Sequence, residues 1–161
     1  MSDKLAPCQS VSMGQLMLLL DRNGAFAREI SVGGEELFRG IGFVVRDANW
    51  GTPTLTGEAL LSQQSARATV KSGGGLNIAG GDLTWSTEWS ITEGGLEVKG
   101  RASSVTGFET NRTGFVVLHS LGATRGRPVK VFHTFGGVEE TTFPDLVSPH
   151  QPFLDIEALE R

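Results

Sequence analysis

The sequence predicts an all-β chain: an antiparallel two-sheet β-sandwich of the large supersandwich or mutarotase-like type, with little or no helix. Three observations lead there. The 161 residues include 22 glycines and no tyrosine, and Val, Thr, Leu and Phe, which suit a pleated and half-buried surface, are common. Turn signals recur at short intervals. No window shows a convincing 3.6-residue apolar period.

Taken in order, residues 1–14 read as a flexible polar lead and 15–161 as a single β-sandwich domain. Gln15 to Leu20 and Ala25 to Val32 flank Asp21-Arg22-Asn23-Gly24, and Asn-Gly between two apolar runs is the strongest short hairpin signal. Leu37 to Asp47 forms the next strand, with Phe43 and Val45 on one face and Val44 and Arg46 on the other. Asn49-Trp50-Gly51-Thr52-Pro53 ends it. Thr54 to Gln63 and Ala66 to Ser72 are two more strands, and Gly73-Gly74-Gly75 is expected to break the pairing before Leu76. From Leu83 to Ile91 the alternation is clean: Leu83, Trp85, Trp89 and Ile91 face a core, and Thr84, Ser86, Glu88 and Ser90 face water. Leu96 to Ala102 supplies an antiparallel partner. Phe115-Val116-Val117-Leu118 reads as a buried strand with polar groups at both ends. Val129 to His133 and Val138 to Thr142 follow, and the last six residues are expected to start a short helix.

Composition also excludes. With 14 Lys+Arg against 18 Asp+Glu the formal net charge is −4, and the basic residues are scattered among acids, so nucleic acid is not the expected partner. A single cysteine, Cys8, rules out an internal disulfide. The N-terminus lacks the basic and apolar regions of a signal peptide, and no apolar run is long enough to span a bilayer. A soluble, cytoplasmic protein without a membrane partner is the expectation.

The chemistry gathers between Glu109 and Asp155, where all three histidines lie. His119 and His133 each close a strand and are the candidates for acid–base work. There is no Gly-x-Ser-x-Gly elbow, and Cys8 is badly placed for a Cys-His pair. Strand-end histidines at unequal spacing are a weak zinc signal, and capping of each strand by a hydrogen bond is the simpler reading; neither metal nor cofactor is expected. Arg112, beside Asn111, precedes a buried run, and its planar fork suits a carboxylate or vicinal hydroxyls, with a bridge to Glu109 or Asp145 as the structural alternative. Arg46 poses the same choice. Trp50, in a turn, is a better sugar-stacking platform than the core-facing Trp85 and Trp89. His150 completes the candidate substrate-binding set of Arg112, Asn111, Trp50, Arg46 and His150.

Three separated motifs in order carry a resemblance: Phe38-Arg39-Gly40-Ile41 with Val45 to Thr52, then Thr110 to His119, then Thr142-Phe143-Pro144 with Ser148 to Ile156. Over nearly the whole chain from about residue 16 the sequence resembles the N-terminal domain of the D-apionate lactonase family. The resemblance implies a sandwich that precedes a (β/α)-barrel in a multi-domain hydrolase of carbohydrate metabolism, opening apionolactone to apionate within apiose catabolism. It implies a sugar acid or lactone as ligand and a downstream barrel of the same polypeptide as partner. On this reading the domain contributes packing or substrate-rim contacts and is not expected to hold the whole catalytic apparatus. The alternatives are that the sandwich itself hydrolyses a lactone or epimerises a sugar through His119 and His133, or that it is a non-catalytic carbohydrate-binding module. Two departures stand out: Ser120 occupies a position where the family pattern has proline, and the sequence stops at Arg161, where the barrel would begin.

Overall fold

The computed structural model describes residues 8–78, 81–107, 109–146 and 153–160. The chain gathers into two compact units, Met1–Leu118 and His119–Arg161. As the sequence predicts, the described structure is almost entirely antiparallel β, with one helical turn.

The first unit is a two-sheet sandwich. One sheet has the order β1 (Gln9–Met13), β2 (Leu16–Leu20), β3 (Phe26–Val32), β4 (Glu35–Asp47) and β9 (Thr110–His119), whose last residue opens the second unit. The other is a meander of β5 (Thr56–Gln63), β6 (Arg67–Ile78), β7 (Gly81–Thr92) and β8 (Gly95–Ser103). The Asn-Gly hairpin forms as expected: Gly24 adopts φ +68°, and its N–H donates to Asp21 O at 2.8 Å. Alternation along β2 and β7 sends Leu16, Leu18, Leu20, Trp89 and Ile91 into one shared core with Val11, Ile30 and Val70. A second cluster joins Phe43 and Val45 of β4 to Leu76, Leu83 and Trp85. Burial of apolar side chains from both inner faces is what holds the sheets together.

Four expectations are corrected. The polar lead contains a strand, β1, because Val11 and Met13 alternate with serines and are buried against the opposite sheet. Gly73-Gly74-Gly75 does not interrupt its strand; β6 stays paired to both neighbours through all three. The glycines are there for close approach, since a Cβ on Gly74 would lie 1.8 Å from Thr56 O and one on Gly57 would lie 2.4 Å from Gly73 O. The Phe115–Leu118 run is not buried. β9 is the edge of its sheet, and Phe115, Val117 and Leu118 are 39%, 45% and 43% exposed. The chain end is strand and not helix: β12 (Ile156–Glu160) pairs with β10.

The second unit is a three-stranded sheet of order β11 (Val138–Thr142), β10 (Pro128–His133) and β12, preceded by the single turn of helix α1 (Leu121–Thr124). Its core is small: Val129, Val131 and Phe143, with Phe153 and Leu159 packed against them. His150 and the Ser148–Pro152 stretch of the third motif lie outside the described residues.

Candidate functional site

The site is built where β4 ends and β9 begins. Phe43 of β4 and Phe115 of β9 meet edge to face at 5.6 Å, and alternation along β4 turns Arg46 to the face opposite Phe43. Thr110 bridges the two strands: its hydroxyl lies 2.7 Å from Arg46 O, 3.1 Å from Arg112 O and 3.0 Å from the Thr113 hydroxyl. A hydroxyl has one proton. The short contact to Arg46 O takes it, and Thr113 donates back to Thr110 Oγ1.

After β4 the chain folds over in a tight loop organised by Asp47. One carboxylate oxygen of Asp47, Oδ1, accepts the Asn49 N–H at 2.9 Å and the Gly51 N–H at 2.7 Å. Backbone bonds from Trp50 N–H to Asp47 O and from Asp47 N–H to Gly51 O close the loop, each at 3.0 Å. A Cβ at Gly51 would meet Asp47 Oδ2 at 2.4 Å, so a larger residue there would displace the carboxylate that organises the loop. The loop holds Trp50 at φ +66°, in the left-handed region that a bulky residue enters only under constraint.

Trp50 is 57% exposed. Over its ring stands the Arg112 guanidinium, with its carbon 5.4 Å from the ring centroid. Such a pair contributes roughly 0.5–1 kcal/mol at an exposed position and orients the planar fork. The structure thus brings together Trp50 and Arg112; Arg46 lies at the end of β4, the strand that Thr110 ties to β9, and Asn111, next to Arg112 in β9, is exposed. Arg46 enters no ion pair among the described residues. An oriented guanidinium on an exposed indole is chemistry for an oxygen-rich anion. Sequence reasoning missed Asp47 and Thr110, whose role is to hold the loop and the strand pair. The Asp47-x-Asn49-x-Gly51 spacing was a usable turn signal; the Thr110 bridge spans 64 positions and had none.

His119 and His133 belong to the second unit. His119 closes β9, and its ring sits 5.4 Å from Phe143. His133 closes β10 and stacks on Phe135 at 4.8 Å. Its Nδ1 lies 2.9 Å from Leu154 O, which makes that nitrogen the donor, and Nε2 lies 3.5 Å from a Glu139 carboxylate oxygen. Each histidine is seated against its own phenylalanine in the second unit. The second unit also carries an open groove of about 630 Å³ over its sheet, lined in part by Lys130, Glu140 and Glu160. Lys130 pairs there with Glu140 at 3.6 Å. Among the described residues no group of three or more His, Cys, Asp or Glu is arranged to hold a metal ion. No helix among them is long and apolar enough to cross a membrane.

Comparison with known proteins places the chain. The family described as D-apionate lactonase, N-terminal domain, matches over residues 1–161. D-apionate lactonase of Brucella anthropi is 35% identical over 147 residues, which cover 89% of this chain and 24% of that protein. The chain therefore spans about a quarter of the length of the curated relative it matches. No solved structure matches it.

Proposed function

Since the chain belongs to the D-apionate lactonase N-terminal domain family, we propose that it is the β-sandwich domain of a sugar-acid lactonase and supplies ligand contacts at the rim of the substrate path. Opening of the lactone, of the apionolactone-to-apionate kind, then depends on a further domain of the same polypeptide, and the setting is carbohydrate catabolism in the cytoplasm. The observation that carries this reading is the Arg112 guanidinium fixed over an exposed Trp50. Arg112 and Arg46 hold oxygens of the sugar acid, Trp50 offers an apolar ring to its C–H groups, and Asn111 adds a donor and an acceptor. His133, with its Nδ1 bonded to Leu154 O and its ring stacked on Phe135, supports a structural seat better than a proton shuttle.

The test uses the 161-residue chain. Trp50 is the exposed tryptophan, while Trp85 and Trp89 are 3% and 0% exposed, so a ligand-induced emission change reports on the site. We expect a saturable change with an equilibrated mixture of apionolactone and apionate, and its loss in Arg112→Ala. Proton release from the lactone should stay at the spontaneous rate. Turnover by this chain, abolished in His119→Ala or His133→Ala, would overturn the assignment and return catalysis to the sandwich.

A further inference from the structure

We infer that the Trp50–Arg112 platform selects the open-chain hydroxy acid over its lactone, so that it binds the product of ring opening in preference to the substrate. The inference rests on the proposed reading of this site as a sugar-acid contact and adds the chemical form it takes. A lactone is a neutral ester. Its hydrolysis produces a carboxylate, the planar two-oxygen anion that a guanidinium fork matches with parallel N–H···O bonds.

Four features of the site favour the charged form. The guanidinium carbon of Arg112 stands over the Trp50 ring at 5.4 Å, so less rotamer freedom remains to be lost on binding. Arg46 lies at the end of β4, and its carbonyl is bonded by Thr110, two residues from Arg112 in β9, so a second positive charge lies on the neighbouring strand. The adjacent carboxylate, Asp47, is turned to the loop amides of Asn49 and Gly51 at 2.9 and 2.7 Å, which occupies its Oδ1 within the turn. The Thr110 hydroxyl of β9 donates to Arg46 O at 2.7 Å, so the two arginine-bearing strands keep their spacing. A neutral ring ester gains the stacking surface of Trp50 but not the charge-assisted pair.

The experiment titrates the 161-residue chain at fixed ionic strength with sodium ribonate, ribono-1,4-lactone, ribitol and sodium acetate, read by Trp50 emission and by calorimetry. Ribonate is expected to bind roughly tenfold more tightly than the lactone or ribitol, the factor a charge-assisted hydrogen bond confers. Acetate, which has the carboxylate but no hydroxyls, should be the weaker anion. Arg112→Lys, which keeps the charge and loses the fork, should erase most of the preference while circular dichroism stays native. Equal affinity for ribonate and its lactone would overturn the inference and leave the sugar-acid reading standing. Acetate matching ribonate would overturn it in favour of a general anion site. Absence of binding by all four would overturn the sugar-acid reading as well.

Discussion

Gly24 O receives the Trp89 indole N–H at 2.8 Å, and the hydroxyls of Thr87 and Ser72 lie 3.0 and 3.2 Å from it, themselves 2.6 Å apart. One hydroxyl proton must serve the Ser72–Thr87 contact, so the carbonyl accepts two bonds, one for each lone pair. All of this is buried. The hairpin of one sheet is thereby fastened to β6 and β7 of the other, and a lost bond here would strand a buried polar group. Gly24→Ala places a Cβ at φ +68° only 2.5 Å from Ser72 Oγ. The left-handed backbone costs about 1–2 kcal/mol and overpacking about 1–3 kcal/mol, so urea unfolding should show a loss of roughly 2–5 kcal/mol. Gly34→Ala is the control, at φ +86° with no atom within 4 Å of its Cβ, and should lose only the backbone part. Equal losses in the two variants would show that the knot around Gly24 has no packing role. Asn23-Gly24 was legible in the sequence as a hairpin because its cause is local. The knot was not, because its donors come from 48 to 65 positions away. Likewise Trp50 and Arg112 were each readable as candidates by chemical type, but only the fold sets one over the other.

Among the elements, periodicity disclosed β2 and β7, where inner and outer residues alternate without interruption, and β3, β4 and β8, although β3 carries an irregularity at Glu29, φ +51°. It failed at β6, whose Gly73 and Gly74 leave room for the backbones of Trp85 and Thr56 and do not make a turn; Trp85 Nε1–H donates to Thr56 O at 3.2 Å. It failed again at β9, where an apolar run signals burial in a central strand but the topology puts the strand at an edge. The link from β8 to β9 is pinned by Asp82 of β7. Its carboxylate accepts the Thr106 hydroxyl at 2.6 Å, the Thr106 N–H at 3.1 Å and the Ser104 hydroxyl at 3.4 Å. These bonds, the Thr106 hydroxyl first among them, hold the Asp82 carboxyl below its usual range. A carboxyl whose folded pKa is depressed stabilises the fold fully above its unfolded pKa, about 3.9. That contribution is lost as pH falls through the lower, folded value. Asp82→Asn should therefore be less stable than the parent at pH 7 and lose less than the parent on going from pH 7 to pH 3. Parallel curves for the two proteins would show that Asp82 does not anchor the connection.

At the scale of the whole chain, composition disclosed the fold class, because glycine-punctuated alternation admits little but an antiparallel sandwich. It gave no sign that the chain divides into two compact units, since a division depends on which strands share a core. The first unit has two core clusters fed from both of its sheets. The second, His119–Arg161, rests on Val129, Val131 and Phe143 with two partly buried neighbours. Small units bury proportionally less surface and are correspondingly marginal. At about 0.05–0.15 kcal/mol per residue, a unit of this size carries roughly 2–6 kcal/mol of stability, against roughly 6–18 kcal/mol for the first. Native-state hydrogen exchange should then show Val129 and Val131 of β10 opening at a lower free energy than Val70 of β6 and Trp89 of β7. Val131 is fully buried, so Val131→Ala should lower protection across β10 and β12 and leave β7 where it was. Matching opening energies in β7 and β10, moving together in the variant, would mean that the two units unfold as one body.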